Sequence, residues 1–417
     1  MRFEFSFYSS LLLIFFVHGL VYSVLLLRKG THNDSQPDKW LSLFLLLCVF
    51  FIAPWMLGFA GWYDNQPYRD FLFYMPMQHL YFMGPVIFFY IQSLLNPAFR
   101  FGKKEWLHLV PGILYLLYSL TMFVTDKFIL QRYYFLVDEM DRDFDYWYQS
   151  SGLLSMVIYF FISLRYYSLY KKLMVQVVSN ADTVLFRWVK NFLMAFLLMQ
   201  LVHIGFEIFS KIFPSLNSYV GSWWFFFCFG VIFYYIAITG YSNSIKTKVP
   251  FKLNLLSYKP SLQLQFSAKE THNNIFLEEA EIIQVQTVQN EKYEDNTLIE
   301  GWKLKIVVLL KNERVYEDAA LSLTQVAKKL KTNPSIISKV INQGYQLNFN
   351  DFVNHYRIEA VKEKLKAGEQ KTQTLLGIAY DCGFNSKATF NRAFKKATGS
   401  SPKEWIEKNS TDRINET

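Results

Sequence analysis

The chain has 417 residues, of which 52% are hydrophobic, 19% aromatic and only 18% charged, too long for one small domain and too poor in charge for a wholly soluble protein. Its net charge of +9 is uneven: from Leu321 onward there are 16 Lys+Arg against 9 Asp+Glu, a surplus of +7. Cys48, Cys228 and Cys382 lie far apart without C-x-x-C spacing, which excludes a disulfide framework or a zinc site and reads as small buried side chains.

A membrane-spanning helix needs about 20 largely apolar residues. Seven such runs precede residue 242: about Phe7 to Leu27, Trp40 to Ala60, Phe71 to Leu95, Trp106 to Val124, Ser151 to Tyr170, Trp188 to Ser210 and Ser222 to Tyr241. The first is long, lacks a small-residue cleavage site and is followed by Arg28 and Lys29, unlike a signal peptide. Positive charge falls in alternate connections: Arg28, Lys29 and Lys39; Arg100, Lys103 and Lys104; Lys171, Lys172 and Arg187; then Lys246, Lys248 and Lys252. Those connections are expected to face the cytoplasm. The others hold Asp64, Arg69 and Asp70, then the acidic stretch Asp126, Asp138, Glu139, Asp141, Asp143 and Asp145, then Lys211, and are expected to face outward. Seven spans with the N-terminus outside leave the C-terminus inside. Trp40, Trp62, Trp106, Trp147, Trp188, Trp223 and Trp224 near the run ends read as interfacial anchors.

Polar residues within the runs are candidates for sensing. Gln200, His203 and Glu207 share one helix face at i, i+3, i+7, and Gln78, His79 and His18 are available to line the same cavity. The competing account is hydrogen bonding between helices. His108 is expected to face headgroups. A metal enzyme built on His203 and Glu207 lacks a third ligand, so neither a metal nor a cofactor is expected.

Residues 242–296 read as a linker. Thr297-x-x-Glu300 resembles a capping box ahead of an amphipathic helix carrying Trp302, Ile306, Leu309 and Leu310. Ser322-x-x-Gln325 is a second box with a Leu321–Val326 staple, and it starts a helix that runs to about Leu330. Asn333-Pro334 starts another. In that helix Ile336, Ile337, Val340 and Ile341 are expected to face inward, while Ser335, Ser338, Lys339 and Asn342 are expected to face outward. A long helix from Asn348 to Lys366 follows. The segment Thr374 to Cys382 then supplies a helix, Gly383 a tight turn, Asn385 or Ser386 a cap and Gly399 a stop before Pro402. On the helix from about Asn385 to Ala397, Phe390, Phe394 and Ala397 line the expected core side. Lys387, Ala388, Asn391, Arg392 and Lys395 make up the opposite side, with groups suited to base edges and phosphates in a major groove.

The letters Ile378, Ala379, Gly383, Phe384, Phe390, Arg392, Phe394, Lys395, Gly399, Ser401 and Pro402 form a pattern that resembles the signature of AraC/XylS-family bacterial transcription regulators. The resemblance covers about Leu321 to Trp405, and Arg357-Ile358-Glu359 matches the family's connecting helix. It implies two helix-turn-helix motifs, at about 321–342 and 374–397, held at fixed spacing by residues 348–366. Lys331 departs from the pattern, standing where many relatives carry a turn glycine.

The expected architecture is therefore all-α: a seven-helix transmembrane domain (1–241), a cytoplasmic linker (242–296) and an AraC-type DNA-binding domain (297–417). The expected protein is a regulator in the bacterial inner membrane, reading double-stranded promoter DNA and coupling a small-molecule or membrane signal to it. Whether it acts as one copy or as a homodimer stays open. The alternative is a transporter or receptor whose tail does not read DNA.

Overall fold

The computed structural model describes residues 3–96, 98–138, 140–179, 184–242, 264–266, 283–285 and 295–415. Most of the expected linker, with Lys246, Lys248, Lys252, Lys259-Pro260 and His272-Asn273-Asn274, lies outside the described residues, as does Glu139. Two compact units emerge: residues 1–167 with 187–247, and residues 168–186 with 248–417. The second therefore takes a segment, Ser168–Phe186, that the sequence pattern assigns to the membrane half.

The first unit contains α1 (Phe7–His32), α2 (Gln36–Phe59), α3 (Tyr68–Tyr74), α4 (Leu80–Leu95), α5 (Val110–Val124), the start of α6 (Tyr146–Val177), most of α7 (Val184–Ile212) and α8 (Tyr219–Ser242). Among the described residues, six helical stretches are long and apolar enough to cross a membrane: Phe7–His32, Gln36–Phe59, Glu105–Ile129, Tyr146–Val177, Arg187–Ile212 and Tyr219–Ser242. Their outward faces carry large apolar side chains, among them Ile14, Leu114, Phe161 and Leu201, each more than half exposed. Water disfavours such a surface and hydrocarbon accepts it. Polar groups turn inward instead: Ser23 Oγ donates to Ser42 O at 2.9 Å and Ser42 Oγ to Ser23 O at 2.7 Å, joining α1 to α2. At Gly19 an added Cβ would lie 2.1 Å from Phe233 Cζ, so the glycine lets α1 and α8 pack closely.

The third apolar run is not one helix. α3 ends at Tyr74 because Met75, which precedes Pro76, is extended (φ −86°, ψ 112°), and α4 restarts only at Leu80. At 16 residues α4 is about 24 Å long, short of the hydrocarbon thickness. The acidic connection satisfies the break: Asp143 accepts from the backbone N–H of Met77 at 3.0 Å and of Gln78 at 3.2 Å. Asp126, Asp141 and Asp143 are thus buried hydrogen-bonding groups. Burial pushes the Asp141 and Asp143 carboxyls up to about 7.

In the second unit a three-residue antiparallel pair, β1 (Leu264–Phe266) and β2 (Ile283–Val285), precedes α9 (Asp295–Asn312), α10 (Leu323–Lys329), α11 (Pro334–Lys339), α12 (Phe349–Lys366), α13 (Leu375–Asp381), α14 (Lys387–Thr398) and α15 (Pro402–Asn415). Thr297 lies inside α9, so its box does not begin that helix. Of the expected apolar face, Ile306, Leu309 and Leu310 are buried and Trp302 is half-buried. Lys303, on the same helix, sits 5.6 Å from the centre of the Tyr345 ring, so α9 packs on the domain that follows.

Candidate nucleic-acid interface

Each helix of the two motifs is set by local backbone chemistry. Ser322 caps α10, its Oγ accepting from Gln325 N–H at 3.3 Å while Gln325 Oε1 accepts from Ser322 N–H at 2.7 Å. The chain then turns at Lys331, whose φ of +53° is left-handed, at the position where the sequence lacks the expected glycine. Asn333 Oδ1 accepts from Ser335 N–H at 2.9 Å, and Pro334 takes the first position of α11. After Lys339 the helix widens into a π turn over Val340–Gly344.

The second motif is built the same way with stronger signals. Thr374 Oγ1 caps α13 by accepting from Gly377 N–H at 3.1 Å. Gly383 turns the chain at φ +90°, in a place where a Cβ would meet Tyr316 O at 2.3 Å. Ser386 Oγ accepts from Thr389 N–H at 3.2 Å, and Gly399 ends α14 at φ +77°.

α14 is the most strongly two-sided surface of the pair. Phe390 and Phe394 are buried, with ring centres 5.6 Å apart, and Phe394 continues to Trp405 at 5.9 Å. Lys387, Ala388, Asn391, Arg392 and Lys395 are all exposed. Their spacing, with Ala388, Asn391, Arg392 and Lys395 at i, i+3, i+4 and i+7, places a small residue, an amide and two cations on one face. Lys396 leaves that face to pair with Asp351 of α12 at 2.6 Å, tying the helix to its support. One expectation fails here: Ala397 is exposed, because the core reaches only the turns of Phe390 and Phe394.

α11 departs further from its expected face. Ser338 is buried, 4% exposed, and its Oγ accepts from Asn342 Nδ2 at 3.2 Å, so it is a packing residue. Ile336, expected inside, is 37% exposed. The cause is phase: the core contact centres between Ile337 and Ile341, and at about 100° per residue Ser338 falls nearer that line than Ile336 does. Ser335 and Lys339 are half-buried and Asn342 is exposed.

A residue whose importance sequence patterning did not reveal joins the motifs. Arg357 of α12 is only 1% exposed. Its Nε donates to Tyr316 O and its Nη2 to Asp318 O, both at 2.8 Å, and its guanidinium lies 5.8 Å from the centre of the Phe384 ring. Burial lowers its pKa to about 10, which leaves it cationic at neutral pH. Only its place in the family-like letters at 357–359 had marked it. Burial also pushes the Cys382 thiol up to about 11, as suits an inert packing residue.

In the first unit the structure separates the polar residues grouped by sequence. Gln200 and His203 are buried and line a cavity with Met83, Met156, Met199 and Phe225. Gln200 Nε2 has no hydrogen-bond partner among the described residues. Glu207 is half-buried and outside that lining. Gln78 is occupied elsewhere, its Oε1 accepting from Gln149 Nε2 at 2.7 Å, and His79 packs between Phe50 and Phe82. His18 stacks on Tyr234 at 3.9 Å. His108 is half-buried, its Nδ1 2.8 Å from the Tyr159 hydroxyl. No group of three or more His, Cys, Asp or Glu side chains arranged for a metal occurs among the described residues.

Residues 326–408 match the family profile described as a helix-turn-helix domain, and this part of the chain is an AraC-type DNA-binding domain. The chain is 32% identical over 87 residues to the uncharacterized HTH-type transcriptional regulator YijO of Escherichia coli (strain K12), covering 21% of this chain and 30% of that protein. It is 33% identical over 85 residues to an uncharacterized HTH-type transcriptional regulator of Staphylococcus aureus (strain COL), covering 20% of this chain and 11% of that protein. The chain thus spans under a third of either relative. No solved structure matches it.

Proposed function

We propose that this protein is a membrane-bound, sequence-specific transcription regulator that carries its signal input and its DNA-binding output on one chain. The observation that carries this reading is α14: a buried phenylalanine stripe backs an exposed face of Ala388, Asn391, Arg392 and Lys395, in a chain whose described residues also hold six membrane-length helices. Arg392 and Asn391 read base edges, Lys387 and Lys395 hold phosphates, and α11 contributes Ser335, Lys339 and Asn342 along the backbone. The broken α3–α4 segment makes the seventh crossing, which with the N-terminus outside puts the DNA-binding domain in the cytoplasm of a bacterial cell with the bundle in its inner membrane.

The signal enters at the cavity lined by Gln200 and His203. Its walls are methionine and aromatic side chains and its volume is about 20 Å³, room for one water-sized group, so the unmet Gln200 amide would be met by a change in helix packing or by a water rather than by a bulky ligand. The test is sequencing of chromosomal DNA crosslinked to the full chain in its native cell, beside an Asn391→Ala, Arg392→Ala double variant. Sharp peaks that share a motif and vanish in the variant are expected. No enrichment from an abundant, inserted protein would favour a transporter or receptor whose tail does not read DNA.

A further inference from the structure

The last turns of α6, from Ser168 onward, belong to the second unit, although the helix begins in the first. Just past its end, Val178 pairs with Ser322 in an antiparallel bridge and Ser179 N–H donates to Leu321 O at 3.1 Å. Ser322 is the cap of α10, so the bridge sits at the root of the first helix-turn-helix. Two side chains of α12 bond the same residue, Ser179. Asn350 Nδ2 donates to Ser179 O at 2.7 Å. Arg357 Nη1 donates to Ser179 O at 3.3 Å and its Nη2 to Ser179 Oγ at 3.0 Å.

A buried guanidinium must have its donors met, and here the acceptors are carbonyl, hydroxyl and amide oxygens. Two of them come from Ser179, more than 140 positions before the first helix-turn-helix. Without that residue the cation at the centre of the DNA-binding domain would face unmet donors away from water, a costly arrangement. The same arginine touches the turn of the second motif through Phe384.

The geometry points to the α6–α7 connection at Val178–Ser179 being an internal ligand of the DNA-binding domain, seated on Ser322, Asn350 and Arg357, whose release lowers DNA affinity. Seating fixes both motifs against α12, and a shift of α6 is therefore felt by both at once. The bonds of the seat come from the start of α10 and from α12, not from α11 or α14, so the seated form is the one competent to bind. This inference rests on the DNA-binding reading above.

The experiment uses the full chain in lipid nanodiscs and a duplex that the wild type selects from a random pool. Ser179→Pro, which removes the donor to Leu321 O, combined with Asn350→Ala is expected to weaken binding about tenfold. Val178→Cys with Ser322→Cys is expected to crosslink on oxidation, since bridge partners lie within disulfide reach. Added to Asn350→Ala, the oxidised pair is expected to bind within threefold of wild type, and the reduced pair more weakly. Comparing the two redox forms of one protein removes the effect of losing the Ser322 cap. Failure to crosslink, equal binding by released and seated forms, or a loss that oxidation does not recover would each overturn the inference while leaving the DNA-binding reading intact. A wild type that selects no sequence would overturn both.

Discussion

The two helix-turn-helix motifs share one plan and differ in what they present. The second has a 12-residue recognition helix, a glycine turn and five exposed candidate contacts; the first has a six-residue helix that widens into a π turn, a lysine forced into the left-handed region, and Ser338 buried at its centre. A long regular helix holds its polar face in register over two turns, whereas a short one loses phase where it widens. Base readout is therefore expected to concentrate in α14, with α11 acting mainly as a backbone clamp.

The largest effect should come from the turns. Gly383→Ala places a Cβ 2.3 Å from Tyr316 O at φ +90°, and both faults act on a position with no room to relax. We expect a loss of roughly 3 kcal/mol or more, seen as faster hydrogen exchange across α13 and α14 in the full chain. Next comes Arg392→Ala, expected to lose roughly 1–3 kcal/mol on the selected duplex and little on random DNA. Lys339→Ala in the first motif should cost less and weaken both duplexes alike. Equal specific losses from the two variants would erase the distinction between the motifs.

Lys331→Gly tests the same contrast with the opposite sign. A lysine at φ +53° pays a left-handed penalty that glycine does not, so the first motif should gain roughly 1 kcal/mol in denaturant unfolding. No gain would mean that the greater freedom of glycine in the unfolded chain offsets the relief.

What could be read in advance follows from the range of the forces involved. Ser322 with Gln325, Asn333-Pro334, Ser386, Gly383 and Gly399 mark boundaries through bonds to their own neighbours, and all act at the positions their chemistry indicates. Pro76 acts in the same local way, holding Met75 extended and so breaking the third apolar run. Ser338 and Ile336 exchanged places because the phase of a short helix is set by what it packs against. Ala397 was exposed because the core stops one turn earlier. Gln78 and His79 parted from Gln200 and His203 because polar residues on different helices meet only through tertiary packing. The bonds of Arg357 were invisible for the same reason, although its letters had marked it: its partners Tyr316, Asp318 and Ser179 are 39 to 178 positions away.

The smallest effect, and the finest test of the contrast, is the salt dependence. Lys395 sits one turn beyond Asn391 and Arg392 on the exposed face of α14, and on the proposed reading it meets phosphate rather than a base edge. Lys395→Ala is expected to weaken binding a few-fold on every duplex and to reduce the slope of log affinity against log salt by about 1, leaving the preferred sequence unchanged. The double variant with Lys339→Ala should lower the slope by about 2 if each lysine neutralises its own phosphate. A double variant no worse than Lys395→Ala alone would mean that α11 stays off the DNA. The two motifs would then differ in kind as well as in strength: α14 would be the reader and α11 the support for the helix that carries it.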